Sequence, residues 1–270
     1  MVKKRNICCG ILLLLLSMQC TPEKEVDLNL PVFEETPVVE CYLEPGKPYR
    51  LIAYYTSSYF DTPQIKEVRD AIIQIQVEGQ TINLNYDTNP RPGETKRYNY
   101  RANDLITVPF QYNTNFALSI VLNGKTYHAN STIAPPVLMD SYLVNCNDEQ
   151  RCQISIRFTD PVLETNFYRY LCIKDSIGGE VKQDFVLNDE LFENGKAGFG
   201  GGFSYNEGSN AVVKLFNINK DYYDFLNSVD DAQNANGNPF VQPSKIKSNI
   251  PGIMGIFTGF VVDEKKVVVY

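Results

Sequence analysis

The chain has 270 residues, of which 43% are hydrophobic and 21% charged, and carries a formal net charge of −7. That length allows one or two domains. The acidic balance argues against nucleic acid as a partner: phosphate backbones call for a basic patch, and past the N-terminus the only Lys/Arg pairs are Lys96-Arg97 and Lys265-Lys266. The single histidine, His128, excludes HExxH and any site with two histidines, and any Ser or Cys triad would have to use this one residue.

Lys3, Lys4 and Arg5 precede an apolar run from Ile7 to Leu16, about half the ~20 residues a spanning helix needs. A charged start followed by a short apolar run is the pattern of an export signal. The run ends in Leu16-Ser17-Met18-Gln19-Cys20, close to a bacterial lipobox, so residues 1–19 read as a lipoprotein signal peptide with Cys20 as the lipidated first mature residue. A plain secreted protein with an incidental cysteine is the alternative. Cys8 and Cys9 precede most of the apolar run and are not candidates for the lipid. Acyl chains on Cys20 would anchor the protein by about 0.8 kcal/mol per buried CH₂, with no spanning helix. Residues 20–30, with Glu23, Glu25 and Asp27 and no aromatic residue, read as an acidic tether. Removal of residues 1–19, which hold three basic and no acidic residues, leaves a charge of −10.

From residue 31 the periodicity is that of strands. Ile73, Ile75 and Val77 alternate with Gln74 and Gln76, Ile82 and Leu84 with Asn83 and Asn85, and Ile154, Ile156 and Phe158 with Ser155 and Arg157. Further runs rich in Val, Ile, Tyr and Phe are set off by Gly, Pro, Asn or Asp turns, which is the pattern of an all-β sandwich or barrel. Glu78-Gly79 and Asn123-Gly124 mark two tight hairpins, which suggests a sandwich core in the first half. Between them "DTNPRPGETKRYNYRAND" is expected to be an exposed excursion. Ala134-Pro135-Pro136 divides the chain into a β-sandwich at 31–134 and a second β-rich domain at 135–270.

In the second half Cys146 and Cys152 bracket the polar loop "NDEQR" and form a candidate hairpin disulfide in an exported protein. Cys41 and Cys172 lie in apolar strands, as two buried thiols or a second bridge. One helix is expected near 221–232, where Tyr222, Phe225, Leu226 and Val229 share a face. Asp221 and Asp224 suit its first turn and Asn236-Gly237 its end.

The glycine-rich "NGKAGFGGGFSYNEG" is followed by a strand, where a phosphate loop needs a helix. It reads as a mobile loop, or as a docking loop with Phe199, Phe203 and Tyr205 as apolar anchors. In "YYTSSYFDTP", Tyr54, Tyr55, Tyr59 and Phe60 are candidate ligand contacts. Asp160 and Glu164 share one connection and are the carboxylates a hydrolase reading would use, although Asp-Pro is first a turn signal. Asn188-Asp189-Glu190 is too short to hold a calcium ion, and neither a metal site nor a cofactor is expected. Asn130-Ser131-Thr132 matches the N-glycan acceptor pattern.

Taken together these residues resemble the Bacteroidota lipoproteins of domain-of-unknown-function family 4249. The resemblance runs from Cys20-Thr21-Pro22-Glu23 through "EVDLNLPVFEETPVVECYL", "YFDTPQIKEVRDAIIQI", "FTDPVLETNFYRY" and "NDELFENGK" to "NPFVQPSKIKSNIPGIMGIFTGF". Gln19 and Cys41 depart from the usual pattern. The early carboxylates after Cys20 are similar to a surface-export signal of such lipoproteins, and Asp175-Ser176-Ile177 to their O-glycan acceptor. The resemblance implies an immunoglobulin-like N-terminal part and a gene neighbourhood shared with TonB-dependent outer-membrane transporters. It brings no catalytic residues with it. The expectation is therefore a non-enzymatic accessory subunit, lipid-anchored on the exterior of the outer membrane, whose partner is a TonB-dependent β-barrel. An independent carbohydrate- or peptide-capturing lipoprotein is the alternative, and a carboxylate-based hydrolase the third reading.

Overall fold

A computed structural model describes residues 34–58, 65–106, 111–161, 164–192, 195–235 and 244–270. The expected signal peptide, Cys20, the tether, Tyr59 and Phe60 lie outside the described residues.

Strands β1 (Pro37–Leu43) and β2 (Pro48–Tyr55) pair antiparallel, and the two-residue β3 (Lys66–Glu67) adds to the end of β2. Strands β4 (Ile72–Val77) and β5 (Gln80–Tyr86) form a hairpin. Glu78 and Gly79 both take positive φ there, 48° and 77°, the requirement of a two-residue turn matched to strand twist. Strand β6 (Tyr100–Leu105) pairs with both β2 and β5, and β7 (Phe116–Leu122) with β4. The hairpin from β7 to β8 (Lys125–Ser131) repeats the device, with Asn123 at φ 50° and Gly124 at 71°.

The chain then builds a second body. Strands β9 (Met139–Cys146) and β10 (Arg151–Thr159) form a hairpin whose far side receives β13 (Lys196–Gly200) and β14 (Tyr205–Asn206). Strands β11 (Phe167–Lys174), β12 (Val181–Asn188), β15 (Asn210–Ile218) and β17 (Val261–Val268) make a second sheet in the order β12-β11-β15-β17. The two sheets bury a common core that includes Ile154, Ile156, Phe158, Tyr168, Tyr170, Val213 and Leu215. Strand β10 buries alternate residues in this core, whereas β11 and β15 are apolar on both faces and turn only one of them to it.

Between β15 and β17 come the helix α1 (Lys220–Ala235) and strand β16 (Met254–Gly259). Strand β16 returns to the first body and pairs in parallel with β1. The first sheet therefore runs β16-β1-β2-β6-β5-β4-β7-β8, and a parallel bridge from Ile133, just past β8, to Gly259 brings its two ends together. The result is a nearly closed barrel around Cys41, Leu51, Ile73, Ile75, Leu118 and Phe257. An N-terminal sandwich of two separate sheets was the expectation. The continuous sheet arises because β6 hydrogen-bonds to strands on both of its sides and β16 fills the remaining gap. Residues 35–270 pack as one unit.

Two Asn amides, buried Asn99 and half-buried Asn249, close backbone ladders that no strand reaches. Asn99 accepts from Ala53 N at 2.8 Å and donates to Ala53 O at 2.8 Å, and Asn249 accepts from Phe257 N at 2.9 Å and donates to Phe257 O at 2.7 Å. Both satisfy buried peptide groups that would otherwise lack partners. The expected excursion is accordingly exposed only in its first part. Its second part carries buried Tyr98, Asn99, Tyr100 and Arg101 and leads into β6.

The closing strand needs its glycines. At Gly255 φ is +127° and a Cβ would stand 1.8 Å from Val39 O, while at Gly259 it would meet Ile133 Cγ1 at 2.5 Å. Gly255→Ala should lower stability by about 3 kcal/mol, which for a unit of this size is a fall in Tm of about 6–12 °C. Gly202→Ala, where a Cβ meets nothing within 4 Å, should leave Tm unchanged; thermal unfolding of both variants checks this.

Candidate functional site

The outer face of the barrel packs on the outer face of the sheet β12-β11-β15-β17 through a third apolar cluster. Tyr42, Tyr98 and Ile256 come from the barrel side, Phe216 and Ile218 from β15, Tyr222 and Phe225 from α1, and Phe260 links β16 to β17. Asn219 caps α1, accepting from Tyr222 N at 2.9 Å. It also donates to Ser131 Oγ at 3.0 Å and accepts from Thr258 Oγ1 at 3.3 Å, so the same residue ties the helix to the barrel.

Beside this cluster the two bodies leave a cleft of about 460 Å³. Its mouth is formed by the β1–β2 turn with Pro45 and Lys47, the segment Gly93–Lys96, and the β11–β12 turn with Ile177 and Gly178. Aromatic rings Tyr42, Tyr98, Phe216, Tyr222 and Phe260 line its depth.

Most of its charged groups are held in ion pairs. Arg50 pairs with Glu44 at 2.7 Å and with Glu94 at 3.4 Å, Lys96 with Glu40 at 2.6 Å, and Lys214 with Glu264 at 2.9 Å. Arg169 grips Asp184 through Nε at 2.7 Å and through Nη2, and donates from Nη1 to the Tyr222 hydroxyl at 2.8 Å. Behind the cleft, buried Arg101 holds Glu94 with both terminal nitrogens. Burial opposes the Glu94 charge, but the hydrogen bond from Arg101, that from the Arg91 backbone and both guanidinium charges outweigh it and hold the carboxyl below its ordinary 4.5. Burial pushes the phenols of Tyr42 and Tyr98 up, and that of Tyr222 up to about 12, so all three stay protonated near neutral pH. The Arg50 guanidinium lies 4.4 Å from the Tyr98 ring centroid and Lys96 Nζ 4.3 Å from that of Tyr42.

Few of the residues singled out by sequence meet here. Tyr54 donates to Arg97 O at 2.8 Å, and half-buried Tyr55 packs on the barrel core under Lys66. The glycine-rich segment is not one loop but supplies β13 and β14. Gly200 lets β13 lie against β10, since a Cβ there would stand 2.6 Å from Ile154 O. Phe199 is packed among Phe158, Tyr170 and Phe185, and Tyr205 is buried with its hydroxyl donating to Cys172 Sγ at 2.7 Å. Of the three proposed anchors only Phe203, 44% exposed, is available to a partner.

Cys146 and Cys152 stand opposite each other on β9 and β10 with Cα atoms 4.0 Å apart and are joined as a disulfide. Cys41 and Cys172 are free thiols in two different cores, and burial pushes both thiols up. His128 is exposed on β8. Asp160 is buried and accepts a hydrogen bond from the Tyr168 hydroxyl, whereas Glu164 is exposed. No group of three or more His, Cys, Asp or Glu placed to hold a metal occurs among the described residues. The cleft residues themselves escaped the sequence reading. They come from separate segments, and Lys or Glu at alternate strand positions looks like any wet sheet face.

A barrel and a β-sandwich joined by one shared strand and one helix, with an ion-paired cleft between them, make this a predominantly β architecture. The chain belongs to the family described as Domain of unknown function (DUF4249), whose model matches residues 23–266. Among proteins of curated function none matches it. Similar solved structures include a DUF4785 family protein from Legionella pneumophila, 9% identical over 66% of this chain and 52% of that one, with a TM-score of 0.24. This chain thus spans about half the length of the Legionella protein. A segment of two fibronectin type III domains from chicken tenascin is 10% identical over 68% of this chain and 91% of that one, at a TM-score of 0.20. Likenesses of that degree carry no argument about the fold.

Two carboxylates should give opposite pH responses. Glu94, held low in the fold, contributes stability above about 4.5 that is lost as pH falls through its depressed value. Asp160, raised by burial above its ordinary 3.8 despite the Tyr168 hydrogen bond, contributes stability below 3.8 that is lost as pH rises through its raised value. Glu94→Gln should cost on the order of 3 kcal/mol at neutral pH and flatten the loss of Tm on acidification. Asp160→Asn keeps an acceptor for Tyr168 and should raise Tm at neutral pH relative to acid pH. Thermal melts across about pH 3–8 read both effects.

Proposed function

We propose that this protein is a non-enzymatic, lipid-anchored subunit on the exterior of the outer membrane that serves as an accessory to a TonB-dependent β-barrel transporter. The N-terminal pattern ending at Cys20 and membership of the family support that setting. In this reading the strongly curved barrel sheet is the family's immunoglobulin-like part, closed by an added strand. The observation that carries the docking role is the edge of the β9–β10 sheet. Among the described residues β9 pairs only with β10, and it and its lead-in expose Leu138 at 63%, Tyr142 at 46% and Leu143 at 48%. An open strand edge bearing apolar side chains is a ready surface for another polypeptide.

A second reading, independent capture of a nutrient, is favoured by the cleft, whose volume is in the range of small-ligand sites. Arginine and lysine groups pinned by carboxylates suit recognition better than proton transfer, because a general acid or base must change its charge during turnover.

Native-level expression followed by affinity purification from detergent-solubilised outer membranes tests the accessory role. A β-barrel protein should be recovered in stoichiometric amount with the unaltered chain. The double variant Tyr142→Glu, Leu143→Glu should lose it while Tm stays within about 2 °C, since exposed substitutions usually change stability by no more than about 0.5 kcal/mol. Recovery of the lipoprotein alone would exclude the accessory role.

A further inference from the structure

The chain is strongly acidic overall, yet the lining of its cleft carries five cations, Lys47, Arg50, Lys96, Arg169 and Lys214, against three carboxylates, Glu44, Glu94 and Glu264. The counter-charges of Lys96 and Arg169, Glu40 and Asp184, are not part of the lining. One of the five cations is free to meet a ligand: Lys47, exposed at the mouth, enters no ion pair among the described residues. Arg50 holds Glu44 and Glu94 with its terminal nitrogens and contributes fixed positive charge to the lining.

The opposite side of the cleft is apolar. Leu171, Ile173 and Val262 line it, and Ile177 stands 51% exposed at the mouth, across from the turn that carries Lys47. The aromatic faces, by contrast, are already covered. Arg50 lies over Tyr98, Lys96 over Tyr42, and Tyr222 stacks on Phe260 at 5.8 Å between ring centroids. A sugar ring would find no free platform, whereas a carboxylate would find the unpaired Lys47 ammonium on one side and its apolar body a matching surface on the other.

We propose that the cleft binds an organic carboxylate carried on an apolar body, with Lys47 as the recognising group, Arg50 adding fixed positive charge, and Ile177 closing over the apolar part. This deepens the binding-subunit reading above and rests on it. Its test uses the purified chain without any barrel protein, so loss of the accessory role and loss of this site are separate outcomes. The carboxylate could belong to a small diacid or to a peptide C-terminus, and the probes separate the two.

Isothermal titration of the mature chain at low and at high salt would use four probes: suberate, the peptide Leu-Tyr-Leu-Gln with a free C-terminus, the same peptide with its C-terminus amidated, and maltotriose. We expect one or both acid probes to bind, with affinity falling as salt rises. The amidated peptide should bind at least about tenfold more weakly than the free acid. Lys47→Glu should weaken acid binding by about tenfold or more, Ile177→Ser should weaken it further, and the remote Lys125→Glu should leave it unchanged. Tighter binding of the peptide would assign a C-terminus, and equal or tighter binding of suberate a small diacid. Binding of neither acid at about 10 mM, equal binding of the amide, binding of maltotriose alone, or indifference to Lys47→Glu would each overturn the proposal.

Discussion

One strand holds the molecule together. Strand β16 lies between β1 and the end of β8, and its two faces serve two different cores: Phe257 points into the barrel, and Ile256 into the cluster shared with α1 and the second sheet. A strand buried on both faces has no wet side to supply alternation, which is why it carries glycines and apolar residues in succession. Its backbone is satisfied by β1 on one side, by the bridge to Ile133 and by the Asn249 amide. Removing any of these would leave peptide groups buried without partners, each at a cost of about 1–3 kcal/mol.

From that strand the geometry of the cleft follows. Strand β16 ends at Gly259 and β17 begins at Val261, so the barrel wall and the second sheet are separated by the single residue Phe260. The helix returns the other way, capped by Asn219, which is itself bonded to Ser131 and Thr258 of the barrel side. With both connections short and hydrogen-bonded, the two walls are fixed relative to each other. The ion pairs of the cleft therefore sit in a preorganised frame, and a ligand need not bear the cost of ordering them.

The parts legible in the sequence were those governed by local rules. Glu78-Gly79 and Asn123-Gly124 announced their hairpins because few residues accept positive φ, and the helix face Tyr222, Phe225, Leu226 and Val229 was visible from its spacing. The short loop between Cys146 and Cys152 made their pairing readable. What was not legible depended on partners distant in the chain. "MGIFTGF" shows no period because both its faces are buried, so the closing strand and with it the barrel went unseen. The glycines of "KAGFGGG" looked like a loop, whereas they let β13 approach β10 closely. Phe199 and Tyr205 looked like anchors because sequence does not say which aromatic residues a neighbouring sheet will cover. The cleft was hidden for the same reason: Arg50, Glu94, Arg169 and Lys214 become neighbours only after β16 has joined the two bodies.

The central claim is that a shared strand makes barrel and sandwich one cooperative structure with a fixed cleft between them. Differential scanning calorimetry of the purified protein measures this directly. A single transition whose calorimetric and van't Hoff enthalpies agree is the predicted result, since β16 contributes both to the barrel core and to the cluster that joins the barrel to the second sheet. Two resolved transitions, or a calorimetric enthalpy well above the van't Hoff value, would mean that the two bodies unfold independently and would contradict the account.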